Sequence, residues 1–162
     1  MTLETSVLPR EAVRLGQTAE TREDAVRLTG RVLEELGAVD RGYADAMVER
    51  ERSISTSVGE GFAIPHGTDE SRVLVRRTAL AFVQFPAGVD WDSDRVFICI
   101  GIAAKDDAHL DVLSRLAEII IQPELAARLR EAPDADAVLG VLAPAFDPAP
   151  EATAQTKAGG EP

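Results

Sequence analysis

The feature that most constrains the fold is a nearly continuous apolar run, RVFICIGIA at residues 95–103, which lies between Asp94 and the charged residues 105–107. A short run without polar alternation is typical of a strand that is buried on both faces of a sheet. Residues 76–85 are rich in Val, Phe and Thr and predict a second strand, and residues 86–88 have the composition of a turn that ends it. The chain is therefore predicted to fold around a β-sheet.

Helical patterns precede these strands. Thr21 followed three residues later by Asp24 suits a helix start, apolar residues then repeat at helical spacing, and Gly37 suits the left-handed position after the helix. Residues 42–52 predict a second helix with a strongly charged end. Residues 53–68 are small residues, glycines and one proline, which is typical of turns with exposed backbone, where chemistry usually lies.

Three more helices are predicted after the apolar run. The first starts near Asp106 or Asp107, either of which is a suitable cap. Pro123 suits the first position of a short helix that ends at about Arg130, and residues 134–142 predict one more. Interspersed helices and strands indicate an α/β fold.

Length and composition indicate one globular domain. The chain has 162 residues, of which 45% are hydrophobic and 28% charged. Residues 1–143 are assigned to this domain. Residues 144–162 are rich in Pro, Ala and Gly and predict a mobile tail.

Charge and cysteine content limit the partners and the compartment. The 28 acidic and 17 basic residues give a net charge of -11, which disfavours binding to nucleic acid or to anionic lipid. No stretch reaches the roughly 18 apolar residues that a membrane span requires, so no membrane insertion is expected. Cys99 is the only cysteine, which excludes an intramolecular disulfide. We therefore expect a cytoplasmic protein.

The chain has two histidines, His66 and His109. Neither belongs to a spaced histidine pair or a cysteine cluster, so no metal site is expected. The sequence has no G-x-S-x-G nucleophile elbow and no glycine signature for phosphate or dinucleotide binding. Histidine acting as a nucleophile or as an acid or base is the chemistry that remains.

Each candidate residue also has a purely structural interpretation. Pro65 and Gly67 place His66 on a stiff, open turn, yet the same tripeptide is consistent with an ordinary surface turn. His109 lies at a predicted helix start, where it is either an exposed first-turn residue or part of an anion site. Arg50 is equally consistent with a solvated helix end.

Residues 59–68, GEGFAIPHGT, resemble the phosphorylation-site motif of mannitol/fructose-type enzyme IIA domains of the bacterial sugar phosphotransferase system. The resemblance extends to residues 85–89, 100–104 and 108–110 and covers roughly residues 21–142. It implies a mixed β-sheet covered by helices on both faces.

The resemblance also implies residue roles. His66 matches the histidine that receives the phosphoryl group, and His109 matches a second, supporting histidine. Arg50 is the best match for an active-site arginine upstream of the motif, with Arg52 as the nearby alternative. Thr68 favours the mannitol branch. No cofactor is implied, because a phosphohistidine donor is already activated.

The implied partners are HPr as phosphoryl donor and a cysteine-bearing enzyme IIB as acceptor, and an acidic surface would steer a donor with a basic rim. Cys99 lies in the apolar strand and is interpreted as a core residue. Two alternatives remain open: a regulatory relative of the nitrogen type, phosphorylated on the same His66, and a non-catalytic interaction module. The presence of His66, Arg50 and His109 together argues against the second.

Overall fold

The protein is described here from a computed structural model, which describes residues 7–91, 94–105 and 108–146. Two 3₁₀ helices, Arg10–Ala12 and Glu70–Leu74, accompany the strands and α-helices. The strands are β1 (Val13–Arg14), β2 (Ser57–Gly59), β3 (Phe62–Ala63), β4 (Ala79–Trp91) and β5 (Asp94–Ala103). The α-helices are α1 (Arg22–Glu35), α2 (Tyr43–Ser53), α3 (Ala108–Ile120), α4 (Pro123–Arg130) and α5 (Ala135–Phe146). None of the described helices is long and apolar enough to cross a membrane.

The five strands form one mixed sheet in the order β1-β4-β5-β3-β2. β4 pairs with β5 and β2 with β3 in antiparallel fashion, whereas β1 pairs with β4 and β3 with β5 in parallel. The apolar run 95–103 thus forms the central strand, and seven of the ten β5 residues are buried. The prediction of a buried central strand is confirmed.

Helices cover both faces of this sheet. Gly101 lies on one face, where a Cβ atom would approach Thr29 of α1 to 2.6 Å and Met47 of α2 to 3.5 Å. Gln84 of β4 pairs with Ile98 of β5, three residues before Gly101. Because successive side chains of a strand point to alternate faces, Gln84 lies on the opposite face of the sheet. Its amide donates hydrogen bonds to the carbonyl oxygens of Arg130 and Ala132, at the end of α4. The predicted α/β fold with a mixed sheet covered on both faces is confirmed.

The helix boundaries follow local chemistry. The Thr21 hydroxyl accepts a hydrogen bond from the Asp24 N–H at 3.1 Å and caps α1, as predicted. Pro123 is the first residue of α4. The last helix, α5, includes Pro144 and continues to Phe146, which packs partly buried against the core. The tail was predicted to begin at residue 144, but residues 144–146 belong to α5, where Phe146 has apolar surface to bury. The proposed caps at residues 106–107 and residues 147–162 of the predicted tail lie outside the described residues.

The strand prediction for residues 76–85 was wrong at its end. β4 does not stop at residues 86–88 but continues to Trp91, and the register with β5 shifts between Gln84 and Val89. This bulge accommodates both turn-forming residue types: Pro86 needs no ladder donor there, and Gly88 adopts a φ of +81°. Residues 53–68, predicted as turns, also contain the short strands β2 and β3.

Helices α1 and α2 pack closely at Gly30, which gives a testable expectation. A Cβ atom at Gly30 would lie 2.6 Å from the Cα of Ala44, so Gly30→Ala should force the two helices apart and lower the free energy of unfolding by about 1–3 kcal/mol. Gly140, inside α5, has open space around its missing Cβ. Gly140→Ala is the matched control and should stabilise the protein by up to about 1 kcal/mol. Urea denaturation of both variants measures the difference.

Candidate active site

A cleft of about 420 Å³ lies beside the ends of β3 and β5, where the chain leaves the sheet. It collects residues from α2, from the segment after β3, from the 3₁₀ helix Glu70–Leu74 and from the start of α3. The lining residues are Tyr43, Glu49, Arg50, Ser53, His66, Gly67, Thr68, Asp69, Glu70, Arg72, Val75, Ala104 and His109. Both histidines therefore face one cleft, which the sequence alone did not establish.

The backbone at His66 is paired with the central strand β5. β3 runs parallel to β5, and the pairing continues past β3 as a bridge between His66 and Ile102. The Ile102 N–H donates to the Pro65 carbonyl at 2.9 Å, so the backbone before His66 is fixed to the core. Nδ1 of the His66 ring lies 2.9 Å from the Ile64 carbonyl oxygen. Since a carbonyl only accepts, Nδ1 carries the proton and the lone pair is on Nε2.

Tyr43 fixes the backbone on the other side of His66, and sequence reasoning missed it. Tyr43 is 4% exposed. Its hydroxyl donates a hydrogen bond to the Ile102 carbonyl and accepts one from the Gly67 N–H, both at 3.0 Å. A Cβ atom on Gly67 would lie 2.3 Å from the Ser71 Oγ and 2.7 Å from the Tyr43 ring. Glycine is required at this position for close packing, because no side chain fits there.

His109 lies in the first turn of α3, as predicted, and its ring packs edge-on against the ring of His66. The ring centroids are 5.0 Å apart and the ring planes meet at 63°. The positive end of the α3 dipole favours an anion at this place. The two imidazoles are therefore close enough to contact one bound group together.

The surroundings keep both imidazoles neutral at pH 7. Burial lowers the pKa of His66, and the nearby His109 and Arg50 lower it further. Burial also lowers the pKa of His109, with a contribution from the positive charge of Arg72. A neutral imidazole has a free lone pair on one nitrogen and an N–H on the other, so it serves as a nucleophile or as a hydrogen-bond donor.

The two candidate arginines of α2 point to different places. Arg50 lines the cleft, and its Nη1 donates to the Ile54 carbonyl at 2.7 Å, beyond the end of α2. Arg52 lies on the exposed side, where its guanidinium forms two hydrogen bonds, of 2.7 and 3.0 Å, to the Glu23 carboxylate on α1. The geometry brings Arg50, and not Arg52, to the histidines.

Arg72 is a second cation in the cleft that sequence reasoning missed. It lies on the 3₁₀ helix Glu70–Leu74 and is 3.6 Å from Asp69, a weak and exposed ion pair. Its position, six residues after His66 in the sequence, falls in a segment without a recognisable periodicity. The cleft thus contains two neutral imidazoles and two guanidinium groups, a combination suited to the oxygens of a phosphoryl group.

Two other residue types have no part in the cleft. Cys99 is fully buried in β5, and burial raises the pKa of its thiol, so it is an inert core residue, as predicted. Among the described residues, no group of three or more His, Cys, Asp or Glu side chains is placed to hold a metal ion.

The sequence profile of the family described as "Phosphoenolpyruvate-dependent sugar phosphotransferase system, EIIA 2" matches residues 6–144. A mannitol-specific phosphotransferase enzyme IIA component from Staphylococcus aureus is 39% identical over 128 residues, which is 79% of this chain and 89% of that protein.

Solved structures agree with this match. The complex of enzyme IIAMtl with phosphorylated enzyme IIBMtl from Escherichia coli matches with a TM-score of 0.78 at 35% identity, over 83% of this chain and 96% of the matched one. The nitrogen regulatory protein IIA-Ntr from Neisseria meningitidis matches with a TM-score of 0.73 at 25% identity, over 84% and 96%. The chain therefore belongs to the EIIA 2 family of the phosphoenolpyruvate-dependent sugar phosphotransferase system and is one of its phosphotransferase components.

Proposed function

We propose that the protein is a phosphoryl carrier that accepts a phosphoryl group from phospho-HPr on Nε2 of His66 and passes it to an enzyme IIB for the uptake of mannitol. The observation that carries this proposal is the hydrogen bond from Nδ1 of His66 to the Ile64 carbonyl, which leaves Nε2 as the free nucleophile in a cleft lined by Arg50 and Arg72.

The transfer needs no cofactor in this scheme. The Nε2 lone pair of His66 attacks phosphorus, the P–N bond of the donor phosphohistidine breaks, and its electron pair returns to the donor imidazole. Arg50, Arg72 and the N–H of His109 are the groups that would contact the three equatorial oxygens. In the second transfer, the cysteine thiolate of enzyme IIB attacks phosphorus, the P–Nε2 bond of His66 breaks, and its electron pair returns to the His66 ring.

Sequence identity supports mannitol transport over a regulatory role. The mannitol-specific enzyme IIA component of Staphylococcus aureus and enzyme IIAMtl of Escherichia coli are 39% and 35% identical to this chain, whereas the nitrogen regulatory protein of Neisseria meningitidis is 25% identical. Thr68, which follows the Pro-His-Gly motif, agrees with the mannitol branch. Phosphoenolpyruvate is formed in the cytoplasm, so the proposal places the protein there.

The surface around the cleft fits protein partners. Three of the five large, exposed hydrophobic residues among the described ones, Ile54, Val73 and Leu110, each follow a cleft residue in the sequence. Glu49 and Glu70 add negative charge to the same rim. Exposed apolar residues beside an acidic rim suit a partner that presents apolar residues beside basic ones, and a basic rim is what the family resemblance implies for HPr.

Reconstitution tests the function. The protein is incubated with phosphoenolpyruvate, enzyme I and HPr, and its intact mass is measured before and after addition of a mannitol enzyme IIB. We expect one acid-labile phosphoryl group, which the mannitol IIB then removes. No gain of mass with active enzyme I and HPr contradicts the proposal, and a stable phosphoprotein that no IIB discharges favours the regulatory alternative.

Substitution of the two arginines separates their roles. Arg50→Ala should slow transfer from phospho-HPr by roughly tenfold to a hundredfold, because a cation beside the phosphoryl group is lost. Arg52→Ala is the matched control and should transfer at the wild-type rate, since it loses only an exposed ion pair outside the cleft. Single-turnover measurements give both rates. A slow Arg52→Ala protein with a normal Arg50→Ala protein contradicts the placement of Arg50.

The apolar rim is tested at Leu110, which is 73% exposed and follows His109. Leu110→Ala should raise the HPr concentration for half-maximal transfer by about tenfold, because truncation of a central apolar contact costs about 1–2 kcal/mol of binding. Ile121 is equally exposed, at 73%, and lies beyond the opposite end of α3. Ile121→Ala should leave this concentration unchanged; an equal effect of both changes removes the proposed docking surface.

A further inference from the structure

Glu51 is a buried carboxylate next to the cleft that the transfer scheme does not use. It lies on α2 and is 2% exposed. One of its oxygens accepts hydrogen bonds from the Thr56 N–H and from the Trp91 indole N–H, each at 2.9 Å. The other accepts from the Thr56 hydroxyl. Three neutral donors thus surround the acceptor-only group.

These contacts connect Glu51 to His66 through the backbone. Glu51 holds Thr56, and the Thr56 carbonyl accepts a hydrogen bond from the Ile64 N–H at 3.0 Å. The Ile64 carbonyl in turn accepts a hydrogen bond from the protonated Nδ1 of His66 at 2.9 Å. A displacement of Thr56 would therefore move the carbonyl that fixes the tautomer of the His66 ring.

The charge of Glu51 also matters to the reaction. When Nε2 gives its lone pair to phosphorus, the proton remains on Nδ1, and the ring becomes positive. The other charged and titratable groups that act on His66 are Arg50, on α2, and His109, on α3, and both lower its pKa, as does burial. Glu51 and the bond to Ile64 act in the opposite direction and raise it. Arg72 and Asp69, on the segment after His66, act on His109 instead.

On the basis of the proposed phosphoryl-carrier function, we propose that Glu51 is a positioning residue for His66. It holds Thr56, and through Thr56 the Ile64 carbonyl, and its buried negative charge stabilises the cationic ring that forms as the phosphoryl group arrives.

Glu51→Gln removes the charge and preserves the hydrogen bonds. The amide oxygen of Gln takes the place of the oxygen that accepts from the Thr56 N–H and the Trp91 indole N–H. The amide nitrogen donates to the Thr56 hydroxyl, so that this hydroxyl becomes an acceptor where it was a donor. We expect transfer from saturating phospho-HPr to slow by on the order of tenfold, less than after loss of a direct donor to the phosphoryl group. We also expect the pKa of His66, followed by NMR, to be lower than in the wild type.

Two controls separate charge from packing. Asp45→Asn removes a carboxylate from the same helix, where it is exposed and paired with Arg27 at 3.2 Å, and should change neither the transfer rate nor the pKa of His66. Trp91→Phe keeps the Glu51 charge and its contacts to Thr56, so it should lower stability but leave the transfer rate within about twofold of the wild type. If Glu51→Gln does not fold, Glu51→Asp decides the question: it keeps the charge but shortens the side chain that holds Thr56, so it should slow transfer, and a wild-type rate overturns the positioning role.

A Glu51→Gln protein with a wild-type transfer rate and an unchanged His66 pKa overturns the proposal. Equal slowing in Trp91→Phe and Glu51→Gln also overturns it, because packing alone would then explain the effect. Failure of the wild type to accept a phosphoryl group removes the proposed function instead, and the NMR titration of His66 in the two proteins still tests its coupling to Glu51.

Discussion

A His66→Ala protein will gain no phosphoryl group from phospho-HPr. The substitution removes Nε2, the atom to which phosphorus bonds in the proposed transfer. His109 will not replace it, because its position in the first turn of α3 and its neutral N–H suit it to contact phosphoryl oxygens. Intact mass after incubation with phosphoenolpyruvate, enzyme I and HPr measures the loss, which should be complete.

Folding must be checked in the same protein. His66 is only partly buried, and its ring bonds to the Ile64 carbonyl, so the melting temperature should change little. Arg52→Ala, which alters an exposed residue outside the cleft, is the control for the assay. A folded His66→Ala protein that still becomes phosphorylated, or a wild-type protein labelled on His109, contradicts the assignment of His66 as carrier.

His109→Ala should reduce the rate of transfer to His66 by on the order of a hundredfold without abolishing it. Loss of one oriented donor to a developing anion typically costs about 3 kcal/mol in the transition state, and the His66 nucleophile remains. Single-turnover transfer from phospho-HPr measures the rate, and mass mapping of the product should place the label on His66.

His109→Gln distinguishes hydrogen bonding from proton transfer at this position. The glutamine side chain keeps an N–H donor but cannot act as an acid or base near pH 7. We therefore expect it to recover part of the rate that His109→Ala loses. Rates that are equal in the two variants would show that an imidazole is needed for proton transfer, and a wild-type rate in His109→Ala would remove His109 from the mechanism.

Local signals in the sequence predicted most of the elements, because caps and apolar periodicity act over a few residues. Thr21 and Pro123 marked the starts of α1 and α4, and the run 95–103 marked the central strand. The predicted end of β4 was wrong because proline and glycine occur in bulges as well as in turns. Only the pairing with β5 shows that Pro86 and Gly88 lie in a bulge.

The site was predictable only where a motif marked it. His66 and His109 matched a known pattern, and their 5.0 Å ring separation depends on β3 and β5 lying side by side. Tyr43 could not be recognised, because its hydroxyl meets Ile102, 59 residues further along the chain. Glu51 had the appearance of an ordinary charge in the Glu-Arg-Glu-Arg end of a helix; its burial depends on Trp91, 40 residues away.

The attachment of the site to the central strand has a consequence for local opening. Ile102 contributes its N–H to Pro65 and its carbonyl to Tyr43, so the backbone on both sides of His66 is bonded to a fully buried β5 residue. Any fluctuation that releases residues 65–67 must break these hydrogen bonds to the buried central strand. The amides of Gly67 and Ile102 should therefore exchange with deuterated solvent at rates close to that of global unfolding. The same bonds would keep His66, the proposed carrier, in one geometry for as long as the domain is folded.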